Sequence, residues 1–233
     1  MLLTNTAFVF FHGWGATQEY WENLLEVLRD KISLKDEDFF LNELGYFNDL
    51  KKTEPEELIN FVKNKKNEGK RVIGIGHSIG FPKMLEFSQN YSVDLDFYLG
   101  LQTFINYLGK KTNNLFIENY FQTVENFIRH PIGFLEGFFQ ALKVDWKHLA
   151  LTNINYPLLL SDMKLLNNKF TSLIPMLEHI NYKIFASLDD MIVSKESVLE
   201  NFPPEKVLFC NLEVGHIMGV LHPEWVVDEL RKL

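Results

Sequence analysis

Short apolar runs alternate along this chain with stretches whose apolar positions recur every three or four residues. Residues 7–11 form one such run. Gly13 and Gly15 close it, which predicts a buried strand followed by a tight loop. Residues 20–30 put Trp21, Leu24, Leu25 and Leu28 on one side of a helix. A weaker strand is expected at 39–44. A helix follows at 55–64, with Leu58, Ile59 and Val62 on one face and Pro55 and its trailing glutamates at the start. The clearest strand is 71–76. A helix is expected at 79–90, where Pro82 falls in the tolerant first turn, and another strand at 97–101. Much further on the rhythm returns, with a helix ending over 173–179, a strand at 183–186, a helix at 194–201, a strand at 206–212 and a closing helix at 223–233.

Strand and helix in turn predict the α/β class: a mostly parallel central sheet with helices on both faces. Residues 105–173 break the pattern. They are rich in Phe, Asn and Leu, with helical spacing at Phe116, Tyr120, Phe121, Val124 and Phe127, and with Pro131 and Pro157 as interruptions. The expected organisation is a core of residues 1–104 and 174–233 carrying a helical cap at 105–173. Phe121 and Phe138 in that cap are candidates to line a substrate pocket.

Composition narrows the class of partner. With 233 residues, 46% of them hydrophobic and 23% charged, the chain can bury a sizeable core in one large domain or two small ones. A net charge of -8 argues against a nucleic-acid partner. The single cysteine, Cys210, excludes an intrachain disulfide and suits a reducing compartment. Its place in VLFC predicts a buried strand position. The opening MLLTNTAFVFF lacks a basic leader and runs straight into HGWG, so it reads as a strand rather than a signal peptide. No apolar stretch is long enough for a membrane span, and a cytoplasmic location is expected.

The candidate chemistry centres on GIGHSIGF, residues 74–81. A serine between two glycines, after a hydrophobic strand and before an amphipathic helix, suits a sharp turn that lifts a nucleophile clear of the backbone. The alternative is a polar turn serine that caps the helix. As a nucleophile, Ser78 needs a base. Of the seven histidines, His216 in VGHIMG follows the 206–212 strand, at the sheet edge from which the Ser78 turn also leaves. His222, before Pro223, reads instead as a helix-entry residue. The acid that orients the base is expected from SLDDMIV, with Asp189 as first choice and Asp190 in reserve. Oxyanion donors are expected at the backbone N–H groups of Ile79 and of Trp14 in HGWG. The histidines form no obvious ligand set, so neither a metal nor an organic cofactor is expected.

Taken together, HGWG after a strand, GHSIG, SLDDMIV and VGH resemble the α/β-hydrolase superfamily over nearly the whole chain. Within it, FHGWGATQEYW and SLDDMIV most resemble the pimeloyl-[acyl-carrier protein] methyl ester esterases of biotin synthesis. That resemblance implies Ser78, Asp189 and His216 as the triad, Trp14 as the oxyanion-loop tryptophan, and a methyl ester carried on acyl carrier protein as substrate. The chain departs from the pattern at His77, where a tryptophan is common, and at Val193, where a proline often follows the acid. Charge bears on the carrier: between residues 110 and 175 seven basic residues outnumber five acidic ones, while the remainder of the chain stands at -10. A less acidic cap over an acidic body could steer an acidic carrier protein, with Arg129, Lys143 and Lys147 as candidate contacts. The rival readings are another carboxylesterase, thioesterase or lipase acting on an aliphatic acyl chain, or a non-catalytic binding protein on the same fold.

Overall fold

The computed structural model describes residues 3–108, 114–142, 153–166 and 169–233. Lys143 and Lys147 lie outside them. The sheet has six strands: β1 (Thr6–Phe11), β2 (Phe39–Asn42), β3 (Arg71–His77), β4 (Phe97–Leu101), β5 (Tyr182–Ser187) and β6 (Val207–Cys210), in the order β2-β1-β3-β4-β5-β6. Every described pairing is parallel. Cys210 ends β6 and is buried.

The helices are α1 (Glu22–Ile32), α2 (Pro55–Asn67), α3 (Gly80–Tyr91), α4 (Asn114–Arg129), α5 (Pro131–Ala141), α6 (Tyr156–Leu165), α7 (Ile174–Leu177), α8 (Lys195–Asn201), α9 (Met218–Leu221) and α10 (Pro223–Leu230). The alternation of side chains along β1 shows how both sheet faces are covered. The Phe10 ring meets Trp21 at the head of α1, with centroids 5.1 Å apart, while the next residue, Phe11, meets Phe87 of α3 at 6.2 Å. All six residues of β1 are buried, which explains why its sequence reads as a continuous apolar run rather than an alternating one.

Helices α4, α5 and α6 lie between β4 and β5 and make the cap. On α4 the buried stripe is Tyr120, Val124 and Phe127, at the i, i+4, i+7 spacing of one helix face. Phe121 falls one step off this stripe and is 56% exposed. The sequence expectation that it lines the pocket is therefore corrected, because a rotation of one residue carries its ring to the outer surface. No described helix is long and apolar enough to cross a membrane.

The cap is joined to the core along one side. The backbone N–H groups of Asn155 and Asn48 donate to Tyr46 and Asn153 at 2.7 and 2.8 Å, and the Asn155 side chain donates to Gly45 at 3.1 Å. Beside this seam Asp162 of α6, buried, accepts from Tyr46 Oη at 2.7 Å and from Lys83 Nζ of α3 at 2.9 Å. Burial, then the Asp162 carboxylate, push the Tyr46 phenol well above its ordinary range, so it remains the donor.

Candidate active site

In a parallel sheet of this kind, ligands bind beyond the carboxyl ends of the strands. Five segments meet there: those after β1, β3, β4, β5 and β6. The loop after β3 is the sharpest. Ser78 takes φ 52, a left-handed conformation that side chains rarely adopt, between the end of β3 and the first turn of α3. The turn is held from three directions. Ser78 N–H donates to Leu101 at 3.0 Å, its carbonyl accepts from Phe81 N–H at 3.3 Å, and the same carbonyl accepts from Thr103 Oγ1 at 2.6 Å.

The flanking glycines are there because nothing larger fits. A Cβ at Gly76 would stand 2.4 Å from the Phe81 Cα, and one at Gly80 would stand 2.2 Å from the Phe11 carbonyl oxygen. Helix α3 thus starts pressed against the end of β1, which brings the HGWG loop beside the serine.

His216 follows β6, and its Nδ1 lies 2.8 Å from Asp190 Oδ2, with both side chains buried. The aspartate that meets the base is Asp190, not the Asp189 favoured from sequence. The reason lies in the turn after β5. Asp190 Oδ1 accepts from the N–H groups of Ile192 and Val193 at 2.8 and 2.9 Å, a local Asx turn that leaves Oδ2 facing the imidazole. Asp189 turns the other way. It contacts the Ser187 hydroxyl and accepts from Gly215 N–H at 3.0 Å, so it ties the histidine loop to β5. Partial burial pushes Asp189 up, but the Ser187 hydroxyl and the Gly215 and Val214 amides outweigh it and hold this carboxyl below its ordinary range. A carboxylate opposite Nδ1 fixes the proton on that nitrogen and leaves Nε2 as the basic one.

Ser78, His216, Trp14 and Ile79 all line one cavity of about 470 Å³. The serine and the imidazole are not hydrogen-bonded in this structure; such contacts often tighten only when substrate arrives. Neither the Trp14 nor the Ile79 amide donates to another described backbone group, and both residues line the cavity. The Trp14 ring belongs to the cap as much as to the loop. Its Nε1 donates to the Leu159 carbonyl at 2.9 Å, and its edges meet Phe127, Phe134 and Phe138 at 5.4, 6.2 and 5.3 Å. Phe138 lines the cavity, while Arg129 sits on the outer surface paired with Glu125.

Behind the loop, His12 and Glu43 are both buried. Leu44 N–H donates to His12 Nε2 at 3.1 Å, and Glu43 accepts from Gly45 and Gln18 N–H at 3.0 and 3.2 Å.

His77, which the sequence marks only as a departure from the esterase pattern, adjoins the histidine loop. It is buried, stacks on Tyr20 at 4.3 Å and donates from Nε2 to the His216 carbonyl at 2.7 Å. Its position between the elbow glycine and the serine was the available signal. Burial, then the neighbouring His216, push the His77 imidazole well below its ordinary value of 6.5. The folded ring therefore stays neutral where the unfolded ring takes up a proton. Stability is full above pH 6.5 and falls as the pH drops below it, by up to about 1.4 kcal/mol per pH unit. His77→Gln, which retains a donor toward the carbonyl, is expected to flatten the decline of Tm between pH 6.5 and about 5. Parallel Tm curves for the two proteins would assign the acid sensitivity to other groups.

No protein-family model and no curated protein sequence matches the chain. Solved structures do. An esterase from Exiguobacterium antarcticum superposes with a TM-score of 0.68 at 13% identity, over 97% of this chain and 91% of its own. MenH from S. aureus gives 0.66 at 14% identity, over 98% and 94%. A hydrolase from Oleispira antarctica gives 0.65 at 14% identity, over 98% and 92%. Identities this low speak for shared architecture, with chemistry resting on the residues above. With its parallel sheet, flanking helices and inserted helical cap, the chain has the α/β-hydrolase fold.

Proposed function

We propose that the protein is a serine carboxylic-ester hydrolase. The observation that carries this reading is His216, which has the buried Asp190 behind it and lines one cavity with a serine held at φ 52 on a strand-to-helix turn. Ser78 Oγ attacks the ester carbonyl carbon and His216 Nε2 takes its proton. The oxyanion of the tetrahedral intermediate sits between the N–H groups of Trp14 and Ile79. Collapse breaks the bond to the alcohol, which leaves with the proton from His216. Water, activated by the same base, then frees the acid from the serine.

The cavity wall suggests the acyl group. Phe104, Leu108, Phe134, Phe138, Leu142 and Met163 make it largely apolar, and it carries no lysine, arginine or carboxylate among the described residues. The Tyr107 phenol is pushed up to about 12, by burial and then by Asp190, and so lines the wall as a neutral donor. Such a chamber favours an uncharged aliphatic acyl chain. The finer reading is demethylation of the methyl ester of a pimeloyl chain on acyl carrier protein. The motif resemblance supports it, as does an apolar chamber suited to the methylene chain, with Arg129, Lys143 and Lys147 as carrier contacts. Another carboxylesterase, thioesterase or lipase activity on the same machinery is the alternative.

The test pairs two measurements. A fluorophosphonate is expected to label Ser78 in the folded protein, with the modified peptide identified by mass spectrometry. Hydrolysis of carrier-linked methyl pimelate is then compared with a series of p-nitrophenyl esters of rising chain length. Labelling at Ser78 with turnover of aryl esters alone would keep the esterase and discard the carrier substrate. No labelling would remove the serine mechanism.

A further inference from the structure

Gln102 lies immediately beyond β4 and is wholly buried, although it does not itself line the substrate cavity. Its backbone has φ 49, one of four positive values at non-glycine residues in the described chain. Glycine would occupy that conformation at the lowest cost. A long amide stands there instead, and both its nitrogen and its oxygen are used. Its Nε2 donates to the Gly215 carbonyl, its Oε1 accepts from Met218 N–H at 2.8 Å, and its own backbone N–H donates to Phe185 at 2.8 Å. Gly215 and Met218 bracket His216. One side chain therefore grips the loop on both sides of the base, from a strand end next to the one that carries the serine.

We propose that Gln102 is the positioning residue of the catalytic base: it sets the height and tilt of the His216 imidazole above Ser78 by clamping the backbone on either side of it. This rests on the serine-esterase reading above. The other holds on the loop act elsewhere. His77 Nε2 reaches the His216 carbonyl, Asp189 reaches Gly215 N–H and Asp190 holds the ring itself. Within the loop the Ile217 N–H donates to the Val214 carbonyl at 3.2 Å, and among the described residues Gln102 is the side chain that joins the segment before His216 to the segment after it.

Two variants separate the side chain from the strained backbone. Gln102→Gly relieves the left-handed conformation and removes both hydrogen bonds to the loop. Gln102→Glu retains the acceptor for Met218 but turns a second oxygen toward the Gly215 carbonyl. Both are expected to lower kcat for a p-nitrophenyl ester about 10- to 100-fold, with KM moved less than about twofold, the cost of a small misplacement of reacting groups. The rate of fluorophosphonate labelling should fall in parallel. The downfield proton of the His216 Nδ1–H···Asp190 hydrogen bond should shift in the NMR spectrum. A wild-type protein that resists fluorophosphonate would overturn the esterase reading itself. A labelled wild type with either folded variant reacting at the same rate would overturn only the role of Gln102. Loss of the fold in both variants would also overturn it, by making Gln102 a residue of the framework rather than of the base.

Discussion

Asp190→Asn is expected to lower kcat for ester hydrolysis by about 10³- to 10⁴-fold, the scale seen when the acid of such a triad becomes an amide. Asp189→Asn should lose far less. The amide at position 190 would present either an N–H or a neutral oxygen to His216 Nδ1. The first clashes with the Nδ1 proton and favours the wrong tautomer, and the second gives up the charge that stabilises the imidazolium as it forms. Asp190 is buried, and its other oxygen is pinned by Ile192 and Val193, so neither water nor a rotation can supply the missing carboxylate. Asp189 has no contact with the imidazole; its partners are Ser187 and the amides of Val214 and Gly215. Losing its charge loosens a loop that Gln102 and His77 still hold. Single-turnover and steady-state kinetics on the two variants decide the matter. If the Asp189 variant lost as much as the Asp190 variant, or more, the acid would have been misassigned.

Asp162→Ala is expected to cost about 3–5 kcal/mol, the scale of breaking a buried ion pair by removing one partner. In a chain of this size that is a fall in Tm on the order of 10 °C. The substitution strands two groups at once. Lys83 Nζ loses its partner in a setting where the side chain is only 17% exposed, and the Tyr46 hydroxyl, fully buried, loses its acceptor. The double replacement Lys83→Met with Asp162→Leu should recover part of the loss, because an apolar pair leaves no buried charge without a partner while the Tyr46 hydroxyl still lacks its acceptor. A thermal-unfolding comparison of the three proteins checks this. A single variant as stable as the wild type would show that the pair contributes nothing to holding α6 on the core. Loosening α6 should also reach the site, since the Leu159 carbonyl that accepts from Trp14 Nε1 is three residues before Asp162 on the same helix.

The order of elements was legible in the chain because apolar spacing is a local property. Runs such as AFVFF and VIGI bury both faces of a strand, and the three-to-four spacing of Leu24, Leu25 and Leu28 can satisfy only a helix. The elbow was legible for a related reason. The backbone around Ser78 leaves no room for a Cβ on either side, and that constraint is written directly as two glycines. Boundaries were less so: helix α1 begins at Glu22 rather than at residue 20, because Gln18–Trp21 forms a 3-10 turn capped by Thr17.

What the sequence by itself determined was the alternation of strand and helix and the serine turn. Tertiary structure alone decided which of two adjacent aspartates meets the imidazole. Neighbours in a turn point in different directions, and the direction depends on which backbone N–H groups lie within reach. It also decided that Phe121 faces outward, that Asp162, Lys83 and Tyr46 meet beneath the cap, and that Gln102 grips a loop 113 residues away. The last two are contacts between distant segments, and local spacing carries no record of which distant group will fill a given hydrogen bond.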